Sequence, residues 1–136
     1  MAVETWLIDK SAYVRLGESP DRDMWAERIS RGVVRMSSIT MMEIVYSFRS
    51  ASQGKAELDE PPLRALPVEY LGIKAEVRAA EIQRALLGAS QHRGVSIPDL
   101  LIAASAEVAG HTVLHVDSDF DIIARYSGQR TERLLT

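Results

Sequence analysis

The chain has 136 residues, of which 46% are hydrophobic and 26% are charged, the composition of an ordinary globular domain. It contains no cysteine, which excludes thiol catalysis, thiolate metal sites and a disulfide framework. Nineteen acidic residues against sixteen basic ones give a net charge of −3, which by itself argues against nucleic-acid binding.

No apolar run approaches the roughly 20 residues that a transmembrane helix needs. Residues 1–9 lack the basic leader and the long apolar core of a signal peptide. We therefore expect a cytoplasmic protein without a membrane contact, folded as a single domain over residues 1–136.

Short apolar runs in chain order are predicted to form five strands, at residues 5–8, 33–36, 68–71, 113–116 and 132–135. Helical patterns lie between them. Ser19 followed by Pro20 is typical of a helix start, and this first helix is expected to end at Gly32. A second helix is predicted from Thr40 to about residue 52, because Thr40-x-x-Glu43 has the spacing of a capping box. Residues 50–55 form the loosest stretch of the sequence.

The later helices have clearer patterns. Over residues 73–90, Ala75, Ala79, Ile82 and Leu86 recur at helical spacing and predict one apolar stripe. The next helix begins at residue 96 and is apolar on nearly every side, so we expect it to be buried. A short helix is predicted from residue 118 to near residue 128. This alternation of strands and helices predicts an α/β fold with a mainly parallel sheet and helices on both faces.

Acidic residues stand where such a sheet binds its ligands, at the carboxyl ends of the strands or in the helices that follow. They are Asp9, Glu43, Asp99, Asp117 and Asp119. Each position alone has a structural explanation as a turn residue, a cap or a charge at a helix N-terminus. Together, however, four separate segments bring carboxylates to one edge, where they would repel one another unless a cation neutralised them. Oxygen ligands without cysteine suit Mg²⁺ or Mn²⁺, so the pattern predicts a divalent-metal site for phosphoryl chemistry.

Four segments also resemble the motifs of a known family. Residues 7–12, 40–44, 97–104 and 115–120 are similar, in order and spacing, to the four motifs of PIN domains. Within that superfamily the chain resembles the VapC toxins of bacterial VapBC toxin–antitoxin pairs, and the mycobacterial members in particular. Lys10 and His115 depart from the pattern, because many relatives have threonine at both positions. The second departure puts a hydroxyl contact at residue 115 in doubt.

The resemblance implies a PIN-like three-layer α/β/α sandwich with an acidic quartet of Asp9, Glu43, Asp99 and Asp117, and Asp119 as a fifth candidate. It implies an Mg²⁺- or Mn²⁺-dependent endoribonuclease that cuts structured RNA, such as transfer or ribosomal RNA, and so inhibits translation. It further implies a homodimer and a cognate VapB antitoxin, whose C-terminal segment enters the acidic pocket.

For the mechanism, we predict that Asp9 and Asp99 ligate the principal metal ion. Asp117 would assist with that ion or a second one, Asp119 is a further candidate ligand, and Glu43 would position or deprotonate the attacking water.

Other side chains are predicted to support this site. Ser11 and Thr40 are candidate donors that orient the carboxylates, with turn and cap roles as the alternative. Arg15 and Arg93 are candidate contacts for RNA phosphates, and a solvated helix face is the alternative. His115 lies in a predicted strand, and we expect a structural histidine with its hydrogen bonds satisfied.

Three alternatives remain at this stage. The aromatic side chains of the opening segments, Trp6, Tyr13 and Trp25, together with Met24, belong either to the core or to an antitoxin groove. A metal-dependent phosphatase could use the same acids. A non-catalytic module that kept only the fold is a third hypothesis, although all four acids of the quartet are present.

Overall fold

The computed structural model describes residues 3–136, in which five strands form one sheet of order β3-β2-β1-β4-β5. All neighbouring strands are parallel. The strands are β1 (Trp6–Ile8), β2 (Val34–Ser37), β3 (Val68–Glu69), β4 (Thr112–His115) and β5 (Thr131–Arg133). Each predicted strand is therefore confirmed, with ends shifted by at most two residues.

Seven α-helices connect the strands of residues 3–136. They are α1 (Lys10–Tyr13), α2 (Arg22–Ser30), α3 (Ser38–Ser47), α4 (Ala51–Asp59), α5 (Ile73–Gly88), α6 (Ile97–Ala109) and α7 (Ser118–Arg125). Across this range, none of the helices combines the length and the apolar character needed to cross a membrane.

Helices cover both faces of the sheet, as predicted. Along β1, Trp6 and Ile8 point into a core formed with α1 to α3, whereas Leu7 points to the opposite core formed with α5 to α7. This alternation follows from the two-residue period of a strand. The three-layer α/β/α arrangement is thus confirmed, and it places β1 and β4 side by side at the centre of the sheet.

The two long helices of the second layer match their sequence patterns. In α5 the four predicted positions, Ala75, Ala79, Ile82 and Leu86, are the buried ones. The next helix, α6, begins after Ser96, whose side chain accepts a hydrogen bond from the Asp99 backbone N–H at 3.2 Å. It is buried along most of its length, as expected.

The predicted start of the first long helix is wrong. This helix, α2, begins at Arg22 after Asp21, and the Ser19 hydroxyl accepts a hydrogen bond from the Asp21 backbone N–H at 3.1 Å. Ser19 and Pro20 therefore belong to the turn before the helix. The predicted end is close, since α2 stops at Ser30 and Gly32 takes a left-handed conformation with φ of 77°.

The predicted helix from Thr40 to residue 52 is also wrong, because the region forms two helices with a break between them. The first, α3, is capped by Ser37, which accepts from the Ile39 N–H, so the Thr40-x-x-Glu43 spacing is not a capping box. The second, α4, is capped by Ser50, and it includes most of the stretch expected to be loose. A Cβ on Gly54 would lie 2.8 Å from the Phe48 ring, so a glycine here lets that ring pack directly on the helix.

Candidate active site

A cavity of about 370 Å³ opens at the carboxyl ends of β1 and β4. The parallel pairing of these two strands brings the residues that follow them to the same edge of the sheet. The cavity is lined by Asp9, Lys10, Ser11, Val14, Arg15, Glu43, Ser96, Asp99, Asp117 and Asp119. All five predicted acids therefore share one cavity, which they reach from four separate segments of the chain.

Asp9 is fixed by the turn that joins β1 to α1. Its carboxylate accepts hydrogen bonds from the Ser11 backbone N–H at 3.1 Å and from the Ser11 hydroxyl at 2.6 Å. The same hydroxyl accepts from the Val116 backbone N–H at 2.9 Å, so Ser11 ties the end of β1 to the end of β4. Asp9 is thus the cap of α1 as well as a wall of the cavity, and Ser11 has the contact expected of a residue that orients a carboxylate.

Asp99 enters the cavity from the first turn of α6 and is 8% exposed. Asp119, from the first turn of α7, accepts a hydrogen bond from the Ser96 backbone N–H at 3.1 Å and so joins the starts of the two helices. One carboxylate oxygen each from Asp99, Asp117 and Asp119 lie within 4.8 Å of one another. These three acids form the tightest acidic group of residues 3–136, and Asp9 and Glu43 line the cavity beside them.

Asp117 caps α7, where its side chain accepts from the Asp119 backbone N–H at 2.9 Å. Its own backbone N–H donates to Nδ1 of His115 at 3.1 Å. As expected, His115 is fully buried, and burial is the main reason why its pKa is lowered. The expectation that all its hydrogen bonds are satisfied is wrong for Nε2, which has no partner among the residues described.

The electrostatics of the cavity raise the pKa of two of its acids, Asp99 and Glu43. The pKa of Asp99 is raised to about 8, mainly by burial and also by the neighbouring Asp119, Asp9 and Asp117. The pKa of Glu43 is also raised, first by burial and then by Asp9, while Lys10 acts in the opposite direction. A carboxyl with a pKa near neutrality is poised to bind either a proton or a metal ion.

The supporting residues predicted from the sequence divide into two groups. Ser11 and Arg15 line the cavity, and the Arg15 guanidinium donates to the Ser11 carbonyl at 2.8 Å. Arg93 lies outside the lining residues, in the exposed turn between α5 and α6. Thr40 is fully buried inside α3, and within residues 3–136 its hydroxyl has no hydrogen-bond partner, so it makes no contact with a carboxylate.

Sequence reasoning missed three residues of the cavity wall, Lys10, Val14 and Ser96. Lys10 directly follows Asp9, so its position was available from the chain order, but it was considered only as a departure from a family pattern. Ser96 was predicted only as the start of a helix, and its contact with Asp119 depends on how α6 packs against α7. No local pattern carries that information.

The aromatic side chains near the N-terminus belong mainly to the core. Trp6 and Trp25 are buried and meet edge to face, with ring centroids 5.3 Å apart. The guanidinium of Arg28 lies over both rings, at 4.5 and 4.6 Å from their centroids. Trp25 also lines a mostly apolar cavity of about 370 Å³ beside α2, and Tyr13 lines its neighbour, so these side chains contribute to a surface groove as well.

The family model described as PIN domain matches residues 6–126. Ribonuclease VapC2 from Mycobacterium tuberculosis is 54% identical over 134 residues, a match that covers 98% of this chain and 95% of the relative. Ribonuclease VapC51 from the same species is 38% identical over 124 residues, covering 91% of this chain and 88% of the relative.

Two solved structures have a similar fold. The crystal structure of VapBC2 from Rickettsia felis bound to a promoter DNA fragment matches with a TM-score of 0.79 and 18% identity, over 95% of this chain and 98% of that one. DNA-bound VapBC from Salmonella typhimurium matches with a TM-score of 0.77 and 20% identity, over 96% of this chain and 98% of that one. At these identities the structural likeness supports the fold alone.

Proposed function

The chain belongs to the PIN domain family and, within it, to the VapC group, and from that premise we propose that it is a toxin with metal-dependent endoribonuclease activity. The observation that carries the proposal is the convergence of five carboxylates on one cavity at the carboxyl edge of the sheet. Neither a helix cap nor a turn requires this many acids in one place, because serine, threonine and asparagine also cap helices.

The donor set fits Mg²⁺ or Mn²⁺. Asp9, Asp99, Asp117 and Asp119 would hold the ion through oxygen atoms, which hard divalent cations prefer. The raised pKa of Asp99 supports this assignment, because burial and the neighbouring carboxylates both disfavour a negative charge that a bound cation would stabilise. When bound, such an ion neutralises charge on a phosphodiester and lowers the pKa of water.

Side chains of the protein would supply the general base and hold the metal ligands in position. The Glu43 carboxylate would accept a proton from the water that attacks phosphorus, and its pKa, raised mainly by burial, makes it a stronger base than an ordinary glutamate. Ser11 would hold the Asp9 carboxylate in place through its 2.6 Å hydrogen bond. The Thr40 hydroxyl makes no such hydrogen bond, so we assign Thr40 no part in the site beyond its place as a buried residue of α3.

The proposed substrate is structured RNA, with transfer and ribosomal RNA as the candidate classes. Arg15, which lines the cavity, would contact a phosphate next to the scissile bond. Arg93 is exposed in the turn that precedes α6, where it could contact a more distant part of an RNA strand.

The proposed partner is a VapB-type antitoxin. Two cavities, of about 370 and 440 Å³, lie next to each other between α2 and α4 and share Leu16, Gly17 and Pro62. The second of them shares Val14 with the acidic cavity, so a groove runs from an apolar region to the carboxylates. A peptide with apolar residues followed by an arginine would complement this groove in both shape and charge.

The test is to sequence RNA ends after brief induction of the protein in a bacterial host, comparing the parent with Asp9→Asn. We expect new 5′ ends at defined sites in transfer or ribosomal RNA with the parent, together with growth arrest that the antitoxin relieves. Asp9→Asn should give neither, while its circular dichroism spectrum stays unchanged. Asp59→Asn, at the exposed end of α4, serves as the control and should behave as the parent.

Purified protein should cleave the same RNA in Mg²⁺ or Mn²⁺ and lose the activity in EDTA. If Asp9→Asn cleaves as well as the parent, the site assignment is wrong. Hydrolysis of a generic phosphomonoester without RNA cleavage would favour the phosphatase. A parent that cleaves neither substrate and still binds the antitoxin would favour the non-catalytic module.

A further inference from the structure

A buried histidine lies at the end of the strand that leads into the candidate active site. His115 is the last residue of β4, its side chain is 0% exposed, and its ring lies against Phe120 with centroids 5.3 Å apart. Two residues later the chain reaches Asp117, which lines the acidic cavity.

The hydrogen bond between these two residues fixes the state of the ring. The Asp117 backbone N–H donates to Nδ1 of His115 at 3.1 Å, and a backbone N–H can only donate. Nδ1 must therefore carry the lone pair, which places the proton of a neutral ring on Nε2. The bond holds the main chain at the point where Asp117 turns from β4 into α7.

The other side of the ring faces a pair of charged residues. Nε2 lies 3.6 Å from Oδ1 of Asp121, and Oδ2 of Asp121 accepts from the Arg133 guanidinium at 3.1 Å. Arg133 is also the residue opposite His115 in the pairing of β4 with β5. A ring protonated on Nε2 would direct its N–H towards Asp121, whereas the opposite tautomer would set two acceptors against each other.

We propose that His115, protonated on Nε2, is a positioning residue that holds Asp117 in the geometry needed for divalent-metal binding. The inference rests on the function proposed above and assigns to His115 a part in it. Because Asp117 in turn accepts from the Asp119 N–H, one ring orients the turn that carries two of the three most closely grouped carboxylates.

The chain supplies a matched control in His111. It too is buried, and its ring bonds to Thr5 and Glu69. It lies just before β4, at the opposite end of that strand from the acidic cavity, which it does not line. A histidine that only supports the core should behave like His111 when it is replaced.

The experiment measures Mn²⁺ affinity by titration calorimetry and stability by urea unfolding for the parent, His115→Leu, His115→Asn and His111→Leu. Both leucine variants should be less stable, but only His115→Leu should also bind Mn²⁺ more weakly, by about tenfold or more, as is usual for residues behind metal ligands. His115→Asn keeps an acceptor near the position of Nδ1 and should stay within about threefold of the parent. Equal Mn²⁺ affinity in the parent and His115→Leu would overturn the proposal.

A second measurement needs no variant. Nitrogen-15 NMR of the parent should show Nδ1 of His115 unprotonated and Nε2 protonated, and a proton on Nδ1 would overturn the proposal even if His115→Leu fails to fold. A parent that binds no Mn²⁺ would instead contradict the metal site proposed above, so the two failures can be told apart.

Discussion

At the scale of single residues, Asp99 is the position where folding and the proposed chemistry oppose each other. Burial and three neighbouring carboxylates raise its pKa to about 8, far above that of an aspartic acid in an unfolded chain. The folded protein therefore holds a proton that the unfolded chain releases near pH 4. The contribution of Asp99 to stability is present in full at low pH and is lost as the pH rises towards 8.

Replacing Asp99 by asparagine should remove this loss of stability with rising pH. In EDTA, the free energy of unfolding of Asp99→Asn relative to the parent should increase between pH 5 and pH 8 by on the order of 3 kcal/mol. The comparison with the parent matters because His115, with its lowered pKa, makes stability rise with pH in both proteins. Urea unfolding at pH 5, 6.5 and 8 provides the measurement.

A divalent cation should make the parent more stable than Asp99→Asn. With Mn²⁺ in excess, the parent gains stability from binding and Asp99→Asn gains little, while RNA cleavage by the variant is lost. Asp59→Asn is the control and should follow the parent within about 0.5 kcal/mol at every pH. A difference between parent and Asp99→Asn that does not change with pH would contradict the raised pKa.

At the scale of elements, the end of α6 illustrates a conformational requirement that is separate from packing. Gly110 follows the helix in a left-handed conformation, with φ of 80°, and a Cβ placed there would meet nothing within 4 Å. Gly110→Ala should therefore cost about 1 kcal/mol through backbone strain alone. RNA cleavage should be unchanged, because this end of α6 lies away from the carboxylates.

Gly88 is a matched control for that substitution. It is the last residue of α5, it has no positive φ, and its Cβ would also meet nothing within 4 Å. Gly88→Ala should be neutral or stabilising, by up to about 1 kcal/mol, because alanine favours a helix. Equal destabilisation by the two substitutions in urea unfolding would show that strain at Gly110 is not the cause.

Helices could be predicted from the sequence where their local signals agree with their burial in the fold. The stripe of α5 and the start of α6 at Ser96 were predicted correctly because local preference and tertiary burial agree there. The region of α3 and α4 was not, because a capping-box spacing at Thr40 competed with serine caps at Ser37 and Ser50. Burial of Thr40 within the helix decides that competition, and burial is a property of the folded molecule.

The candidate site was more predictable than the helices around it. Asp9 and Asp117 follow adjacent parallel strands, so the strand pattern alone brings them to one edge, and Glu43 and Asp99 were predicted there from their places near the starts of helices. The contact of Ser96 with Asp119 could not be predicted, since it depends on how two distant helices pack. Arg93 was proposed for its closeness in sequence, which did not place it on the cavity wall.

At the scale of the whole molecule, the net charge of −3 is explained by the acids of a single cavity. Five of the nineteen acids line one cavity, and without them the sixteen basic residues are in excess. The acidic balance is therefore confined to one site, and it does not argue against an RNA substrate. The placement of charge is the informative quantity for this protein.

An exposed apolar surface on α3 lies outside the proposed site and groove. Met42, Val45 and Tyr46 lie on one face of α3 and are 63%, 45% and 91% exposed. Their spacing of three and four residues places them together, opposite the buried Ile44. A surface of this kind is typical of a protein interface. The groove proposed for the antitoxin is lined by other residues of α3, Ile44 and Ser47. We therefore expect α3 to pair two copies of this chain.

The expected assembly is a dimer of twice 15.1 kDa, measured by light scattering after size-exclusion chromatography. Met42→Glu should give a monomer with an unchanged circular dichroism spectrum, because an isolated charge cannot be buried in an apolar interface without a large cost. Leu135→Glu is the control: Leu135 is 60% exposed, close to the value for Met42, but it follows β5 at the opposite edge of the sheet from α3. A parent that is already monomeric, or a Met42→Glu variant that stays dimeric, would show that α3 does not join two copies. If the parent is monomeric and the Met42→Glu substitution abolishes antitoxin binding, this face would instead be assigned to the antitoxin.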